Sequence, residues 1–383
     1  MSKALSDSYF ISHMDTTQLT YRIAFASIRG MGYELAEKLL DVVGSEQNFF
    51  ELSEDKLRAI TGSRSRIYSS SYRNEHLAKA QREINFINDN NVRAIYFTDD
   101  DYPKRLTNAP DSPILLYACG PCDLNSAHII SMVGTRHATT QGIRFCDTLI
   151  SEFAQQLPGT VVVSGLAYGI DIASHRAAMK HNLPTVAVMA RGLNKIYPDA
   201  HRTDAANIVR HGGAIVTDYM SQDAMHKGNF LARNRIIAAL ADCTVVVESA
   251  LNGGALVTAR LAASYDRDVF AVPGKPGDEY SRGCNRLIQN NQAMLITCAD
   301  DIIKAMNWEC HKPVAIPREM ELFPSLSPEE KAVVDFLKTN GESHINVIAQ
   351  ALQAPVYRIM STLVDLDCRG LVVASPGSRY SLP

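Results

Sequence analysis

Apolar residues change their spacing three times along this chain. Over residues 18 to 75 they recur at helical intervals, with Leu19, Ile23, Ala24, Phe25 and Ile28 on one face. Ala36, Leu39 and Leu40 continue the pattern on a second helix after the turn Ile28-Arg29-Gly30-Met31-Gly32-Tyr33. From 128 onward the pattern becomes short runs of Val and Ile, at 129–133, 161–163, 185–189, 214–216, 244–247, 269–272 and 294–297, separated by helix-length segments. Uninterrupted apolar runs mark strands buried on both faces, and strands alternating with helices mark a parallel sheet. The pattern therefore predicts an extended, Rossmann-like, doubly wound α/β domain at 128–306. Residues 76–127 read as a bridge of one helix (77–88), a strand (92–97), an acidic proline-bearing loop (99–113) and a short strand (114–117).

A linker with Pro313, Pro317 and Pro324 follows over 307–324, and 325–383 reads as a separate small unit. Ser327-Pro328-Glu329-Glu330 is a helix start with Ser327 as cap. Three helices, at 331–338, 345–352 and 355–369, and a hairpin turning at Pro376-Gly377 make a winged helix. Its third helix carries Arg358 but also Asp365 and Asp367, which fits a protein-contacting or regulatory module better than a DNA-reading one. The N-terminal turn at 28–33 has the letters of a helix-hairpin-helix, with a weaker copy at 57–62. An ordinary helical hairpin has the same letters and is the preferred reading.

Length and charge narrow the field. A chain of 383 residues expects two or three domains. With 46% hydrophobic and 21% charged residues the composition is globular. The net charge of -3 excludes a protein that coats nucleic acid through bulk positive charge, so any such binding must use a local groove. No apolar run approaches a membrane span, and 1–15 lacks an apolar signal core, so a cytoplasmic protein is expected. Of eight cysteines only Cys119-Gly120-Pro121-Cys122 forms a close pair, without a second pair or His at ligand spacing. Its context fits neither a redox helix nor a zinc site; no metal and no cofactor are expected.

In a doubly wound sheet ligands bind beyond the carboxyl ends of the strands. There the chain carries Gly134-Thr135-Arg136-His137, Ser164-Gly165 with Asp171, Glu248-Ser249 with Asn252-Gly253-Gly254, Thr258, Pro273-Gly274 and Gly283-Cys284-Asn285. Glycines let a backbone approach a ligand, and successive N–H groups form anion nests. Lys227-Gly228-Asn229-Phe230-Leu231-Ala232-Arg233-Asn234-Arg235 adds three cations and a ring at a helix start, where Gly228-Asn229 reads as turn and N-cap. Alone, this stretch is equally a solvated helix start with arginines paired to carboxylates. Set among the other strand ends it becomes one wall of a phosphate-and-base groove. GxGxxG, GxxxxGK[ST] and GxSxG are absent, and His175 reads as a packed or solvent-facing helix residue rather than a base for Ser164. No catalytic residue is expected.

Gly134-Thr135-Arg136, Ser164-Gly165 with Ala167 and Gly169-Ile170-Asp171, Lys227 with Phe230 and Arg233-Asn234-Arg235, Gly254-Ala255-Leu256-Val257-Thr258, and Val272-Pro273-Gly274 with Gly283 and Asn285 together resemble the DprA/Smf family of bacterial DNA-processing proteins. The resemblance runs through the whole α/β domain in order. It implies a non-catalytic, homodimeric single-stranded DNA-binding protein that loads the RecA recombinase in natural transformation. Carried onto this chain, it implies Arg136 and Lys227 on phosphates, Phe230 against a base, Arg233 and Arg235 lining the groove, and N–H donors at Ser164-Gly165 and Gly253-Gly254. Leu231, Ala255 and Lys275 depart from the family's usual proline, serine and asparagine. The alternative is a nucleotide-processing enzyme that cleaves an N-glycosidic bond, for which Glu248 is the one tempting acid.

Overall fold

The computed structural model describes residues 16–309 and 326–382. The polar start at 1–15 and the three linker prolines lie outside the described residues. The chain divides into two compact units, 1–312 and 313–383.

The first unit is built on a nine-stranded sheet in the order β1-β2-β6-β5-β4-β3-β7-β8-β9. Its strands are β1 (Arg93–Tyr96), β2 (Leu115–Cys119), β3 (Ile129–Val133), β4 (Val161–Ser164), β5 (Thr185–Val188), β6 (Ala214–Thr217), β7 (Cys243–Val246), β8 (Asp268–Ala271) and β9 (Met294–Leu295). From β3 to β9 every pairing is parallel. Every residue of β3 through β7 is buried, as strands covered by helices on both faces require. The bridge strands do more than connect: β1 and β2 join the same sheet antiparallel, with β2 pairing β6.

The N-terminal helices pack on that antiparallel end. Ile23, Phe25, Phe49 and Leu57 share a core with Ile114, Leu115 and Tyr117. The expected boundary at 75/76 falls inside the helix Ser70–Asn90, because Ser69 caps it by accepting from Tyr72 N and starts it seven residues before 77. Sequence reading missed this start because Ser70 to Glu75 carries little apolar periodicity. At the 28–33 turn, the N–H groups of Met31, Gly32 and Tyr33 donate to Ile28, Gly30 and Ser112 carbonyls, as in an ordinary helical hairpin. Gly62 closes the helix Glu54–Thr61 in the left-handed region at φ 65°.

The second unit contains the helices Pro328–Asn340, Ile345–Ala351 and Val356–Cys368 and a three-stranded sheet, β10 (Ser343–His344), β11 (Val373–Ser375) and β12 (Arg379–Ser381), in the order β10-β12-β11. Ser327 and Glu330 form a reciprocal capping box. Val333, Leu337, Ile348, Leu363 and Leu366 fill its core.

Candidate nucleic-acid interface

β3 stands where the strand order reverses: β4, β5 and β6 lie on one side and β7, β8 and β9 on the other. The loops leaving β3 and β7 therefore diverge, and a hollow of about 400 Å³ opens between them. Its walls are Gly134 to His137 after β3, Asn252 to Ala255 after β7, and the helix Gly228–Leu240. That helix is anchored by Ile236 to Leu240, each at most 2% exposed, so its polar N-terminal half is left at the opening.

The nine-residue motif at 227–235 splits by helical geometry. Phe230 and Asn234, four apart, face the hollow together. The exposed Arg136 guanidinium lies over the Phe230 ring, 5.4 Å from its centroid. Leu231 also lines the hollow and is 53% exposed. Lys227 and Gly228 are exposed at the helix start, outside the lining. The helix begins at Gly228 with no side-chain cap, so the expected Asn229 cap is corrected. Asn229 Nδ2 instead donates to Ala190 O at 3.2 Å and ties the helix start to the loop after β5.

Two arginines differ from expectation. Arg233 reaches the floor of the hollow but is only 4% exposed. Its Nη1 donates to Gly165 O at 2.7 Å and to Val188 O, and its Nε to Asn234 Oδ1. It is a cross-brace between strand ends, not a free phosphate ligand. Arg235 turns away and pairs with Asp218 at 2.5 Å, as a helix start with paired arginines would have it.

Ser164 and Gly165, expected to offer backbone N–H groups, are corrected as well: the Gly165 N–H bonds to the buried Asp171 carboxylate. Ser164 is fully buried and its Oγ donates to Met132 O at 2.7 Å. A Cβ on Gly165 would lie 2.3 Å from Arg233 Nη1, so glycine is required there to admit the guanidinium rather than a ligand. Asn285 holds the Pro273-Gly274 turn, accepting from Gly274 N at 3.0 Å and donating to Gly274 O at 2.9 Å. Gly253, Gly254 and Thr258 do line the hollow, at the start of the helix Gly254–Ser264, which has no side-chain cap. Its first N–H groups favour an anion there.

Sequence reasoning passed over two aromatic contacts. His137 and Tyr280 stack with centroids 6.0 Å apart, and Tyr280 lines the hollow. Tyr197, after β5, meets Phe230 at 5.5 Å. The signal was present as aromatic residues on strand-end loops, but neither tyrosine sits in a recognisable motif. Asp171 also lines the hollow; burial pushes its carboxyl up, against the pull of the Arg233 charge. His175 is fully buried and bonded to Thr185 Oγ1 at 2.7 Å, and burial with the nearby Arg233 charge holds it down at about 3. Glu248 accepts from Thr139 N at 2.9 Å and from Thr139 Oγ1, and so anchors the start of the helix Thr140–Gln156.

Fold and hollow together define a Rossmann-like protein with a candidate site at the topological switch point, walled by a cation, aromatic rings and an uncapped helix start. The chain belongs to the family described as DNA recombination-mediator protein A, whose profile matches residues 93–307. It is 32% identical over 287 residues to protein Smf of Escherichia coli K12, covering 73% of this chain and 75% of that one. It is 37% identical over 205 residues to the DNA processing protein DprA of Streptococcus pneumoniae R6, covering 54% and 71%. Among solved structures, DprA from Streptococcus pneumoniae superposes with a TM-score of 0.62 at 30% identity, over 74% of this chain and 97% of that one. DNA processing protein A from Helicobacter pylori, solved to study its single-stranded DNA binding mode, superposes with a TM-score of 0.50 at 28% identity, over 56% and 95%.

Proposed function

We propose that this protein binds single-stranded DNA at the hollow between β3 and β7, without breaking a bond, and works in recombination as a cytoplasmic homodimer that loads RecA. One observation carries the binding: Arg136 and Phe230, from different elements, meet at the opening and offer one phosphate-seeking cation beside one base-stacking ring. Gly254 adds a helix N-terminal donor, whereas the Gly253 N–H is already given to Ala250 O at 3.0 Å. The family's description as recombination mediators and the Helicobacter pylori relative's single-strand binding support the same reading. No helix among the described residues is long and apolar enough to cross a membrane. The RecA and dimer parts rest on family resemblance, while a protein-contacting role for the second unit as a winged helix rests on Arg358 standing with Asp365 and Asp367 on its third helix.

The N-glycosidic reading loses its acid, since Glu248 is spent on Thr139. Incubation with nucleoside monophosphates should release no free base. Mobility shifts with single- and double-stranded oligonucleotides at two salt concentrations test the binding. Salt-dependent retention of the single strand is expected; unaltered binding by a folded Arg136→Ala/Lys227→Ala double variant would overturn the site.

A further inference from the structure

The loop after β5, residues 189–201, has no part in the hollow's lining, yet it is fastened to the start of the Phe230 helix. Asn229 Nδ2 donates to Ala190 O at 3.2 Å, and Arg191 Nη1 approaches Met225 Sδ at 3.9 Å. These ties bring the Tyr197 ring to 5.5 Å from the Phe230 ring, tilted by 56°. Tyr197 remains 45% exposed, so close to half of its surface is left open to solvent. Lys195, two residues earlier in the same loop, is exposed as well. An exposed ring and an exposed cation are what a single strand meets at each nucleotide step, because every base has a stacking face and every step has a phosphate.

We infer that Tyr197 is a second base-stacking residue, which carries a single DNA strand from Phe230 out over the loop after β5, with Lys195 facing the accompanying phosphate. This rests on the single-strand reading above and gives the strand a direction: from the hollow, past Phe230, away from Tyr280. A merely structural Tyr197 would prop the Phe230 ring and touch no base. The exposure of Tyr197 favours the first role, since a ring that served only to prop Phe230 would not be left 45% open to solvent.

Oligothymidylates carrying one 5-iododeoxyuridine at successive positions are bound to the full chain, irradiated, and the crosslinked peptides sequenced. Crosslinks to Phe230 and Tyr197 from neighbouring, distinct positions are expected. In anisotropy titrations Tyr197→Phe should bind like the natural protein, while Tyr197→Ala and Tyr197→Leu should each lose roughly tenfold in affinity. Leucine still covers Phe230, so its loss separates stacking from propping. Wild-type binding with no crosslink at Tyr197, or Tyr197→Leu binding at full affinity, overturns the inference while leaving the hollow intact. Failure of the natural protein to bind any oligonucleotide overturns the single-strand reading, and this inference with it.

Discussion

Arg136 and Phe230 stand 94 positions apart in the chain, yet the guanidinium sits over the ring, 5.4 Å from its centroid. Arg136 comes from the loop after β3 and Phe230 from the first turn of the helix Gly228–Leu240. The contact holds both side chains at the opening of the hollow before any ligand arrives, which lowers the ordering cost of binding.

Their effects on DNA binding should therefore be coupled. Phe230→Ala is expected to weaken oligothymidylate binding roughly tenfold, the loss of one stacked base. Arg136→Ala should weaken it and lower the salt slope by about one. The double variant should lose less than the product of the two, by about 0.5–1 kcal/mol for the cation–ring contact. Anisotropy titrations across a salt series measure all three.

Arg233, by contrast, should matter first to stability. Arg233→Met leaves the Gly165 and Val188 carbonyls without their donor inside the protein. Urea unfolding should show a loss on the order of 3 kcal/mol. Gly165→Ala should be comparably harmful, because its Cβ would meet the guanidinium.

Acid sensitivity should trace in part to His175. Burial, with the Arg233 charge adding to it, holds this imidazole at about 3 in the fold. In the unfolded chain it titrates near ~6.5. The unfolded state thus binds the extra proton between these values, so stability is full above the unfolded pKa and drains as pH falls toward the folded one. From pH 7 to pH 5 the loss is about 2 kcal/mol. Urea midpoints of the natural protein and His175→Gln should converge as pH drops across this range.

The Pro273-Gly274 turn should loosen in Asn285→Ala, which removes both hydrogen bonds to Gly274. Hydrogen exchange at 274–281 should speed up. Oligonucleotide binding should weaken a few-fold, on the order of 1 kcal/mol, through displacement of Tyr280.

How much of the site was legible depended on the kind of residue. Gly253 and Gly254 were readable as part of the site because glycines at a strand end let a backbone approach a ligand. Ser164, Gly165 and Asn285 carried the right letters but serve the scaffold. Their neighbours across the fold take up their polar groups: Met132 O the Ser164 hydroxyl, Asp171 the Gly165 N–H, and Gly274 the Asn285 amide. Tyr197 and Tyr280 escaped because a ring on a loop has no periodicity to mark which way it faces.

The sequence by itself determined the parallel sheet, since runs such as 161–163 and 244–247 must be buried on both faces. It also determined the capped start of the helix Pro328–Asn340, where Ser327 and Glu330 act within one turn. Only the tertiary structure decided which cation in the 227–235 stretch stays available. Exposure is set by what packs alongside: Asp218 draws off Arg235, the Gly165 and Val188 carbonyls bind Arg233, and Lys227 alone of the three remains in solvent.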